Sequence, residues 1–156
     1  MLLIIYQGDN MISVAIVKRR LKEGKTYEDF RKAWYHTTGF GTKNKMYSLI
    51  NAFDQREIIV IGFTEIPNEI EDILEGLRID VKERLKNPLD DVIEPEIDRD
   101  FGILISEDDF SAEGAIEYKN PTIDGIEVDV QEVFNGLIAW KQGLEQASAE
   151  RDAAKK

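Results

Sequence analysis

The chain has 156 residues, no cysteine, and 20 Lys plus Arg against 31 Asp plus Glu, for a formal net charge of -11. The length suits one domain that can bury a core without disulfides or a structural metal. An acidic surface repels phosphate backbones and anionic lipid heads, so neither nucleic acid nor a membrane is expected as a partner. The absence of cysteine excludes thiolate chemistry and cysteine-ligated metal centres, and a cytoplasmic location is expected.

The opening MLLIIY is apolar but has no basic flank and is too short for a signal-peptide core. Residues 1–10 are read as an extension, residues 11–106 as the main domain, and residues 107–156 as an excursion and helix packed on it. From Ile12 the residues Ile12, Val14 and Ile16 alternate with Ser13, Ala15 and Val17, which predicts a strand covered on both faces. A charged turn, Lys18 to Lys25, follows. Thr26 is a good N-cap, and Asp29 stands where a capping-box partner belongs. Tyr27, Phe30, Trp34 and Thr37 recur at helical spacing, with Gly39 and Gly41 as the stop.

Met46 to Phe53 reads as a second strand and Asp54-Gln55-Arg56 as a hairpin turn. The third strand, Ile58 to Phe63, is apolar without alternation, so both of its sides need cover. A second helix is predicted from Pro67-Asn68 to Asn87-Pro88, with Ile70, Ile73, Leu74, Leu77, Val81 and Leu85 as its apolar stripe. Leu89 to Asp100 is acidic and broken by Pro95, which predicts a loop with one helical turn at most. Phe101 to Ser106 is the fourth strand. Residues 106–129 form an excursion with brief strands at most. A last helix begins near Asp129 and Glu132, buries Val130, Val133, Phe134, Leu137, Ile138 and Leu144, and frays beyond Gln146.

This order, β-α-β-β-α-β plus a C-terminal helix, predicts an α+β fold with a ferredoxin-like antiparallel sheet. Two helices cover one face of such a sheet, yet its central strands are apolar on both. The other face is then covered by a second copy, packed sheet to sheet, or by the C-terminal third of the same chain.

The stretch VAIVKRRLKEGKTYEDFRKAWYHTTGFG, with Phe30, Arg31, Trp34 and His36 in its helix, resembles the opening of dimeric α+β barrel proteins. NAFDQREIIVIGFTEI is similar to their second hairpin. The superfamily includes antibiotic-biosynthesis monooxygenase-like and EthD-like families, and the resemblance runs from Ile12 to Ser106. It implies a homodimer with a cavity between sheet and helices for a small apolar or aromatic molecule. Cofactor-independent, monooxygenase-like or ring-modifying oxidoreductase chemistry would follow from it. No metal site and no cofactor are expected, although some such relatives hold haem on a histidine.

Against that background His36 is a candidate proton shuttle or haem ligand, being the only histidine. On a continuing helix, however, it falls on the polar arc with Asp29 and Lys32, opposite Trp34, where it would be an exposed helix-end residue. Asn51 interrupts an apolar strand face between Leu49 and Phe53, so a substrate oxygen or the hairpin backbone must satisfy its amide. Tyr47, Trp34 and Tyr35 are candidate ligand-binding residues, with plain packing as the competing role for each. The other reading of the whole chain is a non-catalytic assembly or ligand-sensing module whose cavity is filled by side chains.

Several motifs carry nothing. Asp100-Phe101-Gly102 lacks the rest of a kinase signature, Gly39 to Lys43 lacks the spacing of a phosphate loop, and the acidic runs match no calcium loop.

Overall fold

The structure, a computed structural model, describes residues 11–66, 70–86 and 88–154. The expected N-terminal extension, the helix start at Pro67-Asn68 and the stop at Asn87 lie outside the described residues. Strand β1 (Ile12–Leu21) leads to helix α1 (Tyr27–Trp34), then strands β2 (Asn44–Asn51) and β3 (Asp54–Glu65), helix α2 (Ile70–Lys86) and strand β4 (Ile93–Ile103). A short hairpin of β5 (Thr122–Ile123) and β6 (Ile126–Glu127) precedes helix α3 (Val130–Ala154). The fold is thus mixed α+β, with an antiparallel sheet and a C-terminal helix. None of the described helices is long and apolar enough to cross a membrane.

The four main strands lie in the order β2-β3-β1-β4, every neighbouring pair antiparallel. The α1 connection therefore steps over β3 and the α2 connection steps over β1. The capping box is realised in full: Asp29 N–H donates to Thr26 Oγ1, and Asp29 Oδ2 accepts from the Thr26 backbone N–H. These bonds satisfy donors at the helix start that would otherwise be unpaired.

Cross-strand partners share a face, so one side of the sheet carries Ala15, Val17, Ile58, Val60, Gly62, Met46 and Phe101. Phe30 of α1 packs there with Ile58, Val60, Leu21, Leu89, Val92 and Ile93, and both Phe30 and Ile58 are fully buried. Trp140 of α3 meets Phe101 on the same side, and α3 runs along α2, with Arg78 Nε 3.6 Å from Glu150 Oε2. All three helices therefore lie on one face.

The opposite face holds Val14, Ile16, Ile59, Ile61, Phe63, Tyr47 and Leu49. Along β3 the buried residues Ile58, Val60 and Gly62 alternate with half-buried Ile59, Ile61 and Phe63. At its margin Tyr47 is 57% and Leu49 42% exposed. The C-terminal third does not cover this face, since α3 sits on the helix side and residues 107–120 are exposed throughout. Instead Val133 joins Ile123 and Val128 in a second cluster against Met11, Ile12 and Ile103 to Ile105. The β5–β6 turn, Asp124-Gly125, has positive φ at both residues, which a two-residue hairpin of this kind demands.

Some boundaries differ from the sequence reading. The hairpin turn is Ala52-Phe53, and Asp54 to Arg56 belong to β3, because their side chains have strand-level partners: Arg20 for Asp54, and the Leu21 carbonyl for the Arg56 guanidinium at 2.7 and 3.0 Å. Strand β4 begins at Ile93 rather than Phe101. It is an edge strand, where Pro95 is tolerated and charges can face charges, as Lys18 faces Asp98 and Arg56 faces Glu94. In α2 the buried residue near the end is Glu83, and Leu85, about 200° further round, is exposed. In α3 Val133, Trp140 and Gly143 are buried, whereas Phe134 and Ile138 are exposed, and the helix continues to Ala154 instead of fraying beyond Gln146.

Truncating the ring at the centre of the helix-side core, Phe30→Ala, is expected to cost about 3–5 kcal/mol by urea unfolding. Phe53→Ala, at a fully exposed ring, is expected to change stability by less than about 0.5 kcal/mol.

Candidate functional site

Helix α1 stops earlier than Gly39 and Gly41 suggest. Tyr35 adopts φ -59° and ψ 131°, closing the helix with its N–H on the Arg31 carbonyl, and the chain leaves the helical path before His36. The expected placement of His36 on the polar arc of a continuing helix is therefore overturned. Two partners on α2 account for the exit: His36 Nε2 lies 2.8 Å from Asp80 Oδ1, and Thr37 Oγ1 donates to Glu83 Oε1 at 3.1 Å. Asp80 and Glu83 are one helical turn apart and so point to the same side of α2. The β-branched pair Thr37-Thr38 also favours leaving the helix.

Once turned inward, the His36 side chain is 12% exposed. Its ring lies edge-on to Trp34 with centroids 5.9 Å apart and tilted over Phe40 at 5.0 Å. Trp34 in turn stacks on Phe30, which anchors this corner to the core. Because a carboxylate only accepts, the proton on Nε2 belongs to histidine in this pair.

Beside these rings lies an open cleft of about 330 Å³, lined by Trp34, Tyr35, His36, Thr37, Thr38, Gly39, Phe40, Thr42, Asn44 and Met46. Gly41, at φ +77°, turns the loop toward β2. The volume is at the small end of ligand pockets, enough for a single ring system. Arg31 lies over the Tyr35 ring, 4.9 Å from its centroid, and Trp34 and Phe40 add two more rings to the lining.

Glu83 forms the layer behind the wall. The residue is 2% exposed, and its Oε2 makes no hydrogen bond among the described residues. Burial pushes its carboxyl up, but hydroxyls of Thr37 and Thr38, the Thr37 backbone and the charge of Lys86 together hold it below the usual glutamate range.

Of the residues singled out in the sequence, Trp34, Tyr35 and His36 meet at this cleft. Asn51 and Tyr47 do not join them. Asn51 Oδ1 accepts from the Phe53 N–H at 2.9 Å and closes the hairpin turn, so the backbone is the partner its amide needed. Tyr47 lies on the uncovered face, edge-on to Phe63, because strand alternation sends Met46 and Asn44 toward the cleft and Tyr47 away from it. Asp80 and Glu83 are the residues that sequence reasoning missed. Among the described residues no group of three or more His, Cys, Asp or Glu could hold a metal ion.

Comparisons of the chain with protein-family models, with curated proteins and with solved structures find no match in any of the three.

A lowered carboxylate pKa contributes stability that is present above the unfolded value and lost as pH falls through the folded one. Thr37→Val removes one of the donors, so the Glu83 carboxyl should titrate at higher pH in carbon-detected NMR. Its share of the acid stability should then be lost earlier on acidification.

Proposed function

We propose that the chain is a homodimer of the dimeric α+β barrel type, with a ferredoxin-like sheet in each subunit and the two uncovered faces packed together. The strand order β2-β3-β1-β4 supports the sheet assignment. The half-buried row Val14, Ile16, Ile59, Ile61 and Phe63 supports the dimer, since an apolar patch of this kind costs free energy in water. A symmetric partner presents the same patch and covers it. The absence of cysteine supports a cytoplasmic location.

The cleft at the end of α1 is where each subunit takes a small apolar or aromatic molecule. The observation that carries this reading is the His36–Asp80 pair, an ionisable dyad set between aromatic rings at the mouth of the cleft. In an enzymatic version His36 moves the proton and Asp80 orients its ring, with no cofactor required. A second reading, an assembly module without catalysis, is favoured by the filled interior: Phe30 and Ile58 occupy the space between sheet and α1. The ligand site is accordingly placed beside that interior and not within it.

Sedimentation should give twice the 17.9 kDa chain mass at micromolar concentration. Ile59→Glu with Ile61→Glu should give a folded monomer by the same measurement, and a monomeric wild type would sink the dimer. In a Trp140→Phe background, Trp34 fluorescence should respond to small aromatic alcohols. His36→Ala should weaken binding by about fivefold or more, on the order of 1 kcal/mol, whereas Asn51→Ala should leave it unchanged.

A further inference from the structure

We propose that β2 is a docking edge for a second copy of this chain, the two β2 strands pairing antiparallel about a two-fold axis at Ser48. The pairing is independent of how the uncovered faces are packed. Its origin is the contrast between the two outer strands of the sheet, β2 and β4. An outer strand presents unpaired N–H and C=O groups, and proline, charge or a bulge ordinarily keeps it from pairing. Strand β4 has all three: Pro95, the acids Glu94, Asp98 and Asp100, and a register shift against β1 between Arg19 and Leu21. Strand β2, NKMYSLIN, has neither proline nor glycine, a single charge at Lys45, and exposed Met46, Tyr47, Leu49 and Ile50. Its register with β3 is unbroken from Asn44 to Ile50.

Which groups this edge offers follows from the ladder. Glu65 N–H donates to the Lys43 carbonyl at 3.0 Å, so Lys43 and Glu65 are a hydrogen-bonded pair. By antiparallel alternation Lys45, Tyr47 and Leu49 turn their backbone groups toward β3, and Asn44, Met46, Ser48 and Ile50 turn theirs outward. An axis at Ser48 sets Ser48 against Ser48, Met46 against Ile50 and Tyr47 against Leu49. The outward groups of Met46, Ser48 and Ile50 then all find partners. Side-chain size is symmetric about Ser48, two large residues on either side of a small one, as an isologous contact requires. An aromatic–aliphatic pair such as Tyr47 with Leu49 is a favourable cross-strand contact. An axis at Tyr47 would instead set Lys45 against Leu49, and one at Leu49 would set Tyr47 against Asn51.

Charge selects the same edge. A chain of net charge -11 repels its copies over most of its surface, but β2 contains no acid. With the axis at Ser48, Lys45 lies opposite Asn51, and the two lysines stand about 20 Å apart along the ladder, beyond the screening length of about 8 Å. Pairing β4 with its own copy would bring Asp98 and Asp100 toward their counterparts. The paired copies form one continuous sheet with both sets of helices on the same side. Met46 lines the cleft, so the copy's Ile50 comes to its border. The contact is one strand wide and belongs with the small, weak interfaces, with a dissociation constant on the order of 100 µM.

The chain has no cysteine, so Ser48→Cys in the full-length protein gives one thiol per copy. The Cα atoms of a hydrogen-bonded antiparallel pair are about 5.5 Å apart, within disulfide reach. With diamide as oxidant and the protein at about its dissociation constant, Ser48→Cys should give a covalent dimer about tenfold faster than Ser111→Cys, which lies in an exposed loop. Equal rates overturn the pairing, and faster crosslinking of Tyr47→Cys than of Ser48→Cys overturns the axis. In sedimentation the mean mass of the unmodified protein should rise between about 5 µM and about 500 µM, a range that brackets the expected constant; a constant mass overturns the pairing. Ser48→Pro removes an outward N–H and spares the ladder to β3, so it should keep the circular dichroism and abolish the rise. A rise that persists in this variant overturns the pairing. Should the proline variant fail to fold, Ser48→Lys takes its place, since it sets two ammonium groups face to face at the axis and should abolish the rise equally.

Discussion

A strand that is apolar at consecutive positions cannot be satisfied by helices on one side. Ile58 to Phe63 is such a strand, and the architecture follows from how its two faces are treated. Ile58, Val60 and Gly62 are closed off by Phe30 and its neighbours, and with them the sheet acquires its core. Ile59, Ile61 and Phe63 face the other way, away from the described helices. Burial of apolar surface is the dominant favourable term in folding, so leaving this row in water forgoes stability that a second sheet would recover. On the covered side Phe30 and its neighbours fill the interior, and the cleft beside His36 lies at its margin.

That margin is built by a long-range tie. Two consecutive loop residues, His36 and Thr37, reach two acids one turn apart on α2, and the helix they follow ends to let them do so. The same contacts shape the cleft and, with Thr38 and Lys86, hold the Glu83 carboxyl below the usual glutamate range. Cleft and fold are thus one structure: the loop that lines the opening is the loop that ties α1 to α2. Trp34 links both to the core through its stack on Phe30.

Much of this was legible in the residues. The alternation in Ile12 to Val17, the cap at Thr26 with Asp29, and the unbroken apolar run of β3 each reported a local preference that tertiary contacts left in place. Strand β4 was only half legible, because an edge strand paired through charges and carrying Pro95 lacks the apolar pattern by which buried strands announce themselves. Helix α3 was placed correctly at its start and its face was legible in part: Val133 is buried and Val130, Leu137 and Leu144 half-buried, but contact with Phe101 buries Trp140, whereas Phe134 and Ile138, equally apolar, face out.

The candidate site divides along the same line. Its residue types and the aromatic stripe that ends at Trp34 are properties of the sequence, because they depend on neighbours within one turn. The direction of His36 is not. Asp80, which it meets, is 44 positions away on another helix, and a hydrogen bond across that separation leaves no trace in local periodicity. Asn51 shows the converse: its amide is satisfied two residues on, at the Phe53 N–H, so a polar side chain in an apolar run there marks a turn. What the sequence determined by itself was which segments form helices and strands, through short-range spacing and capping. Only the tertiary structure decided which side chains meet, because that is fixed by packing between segments whose order along the chain says nothing of their distance in space.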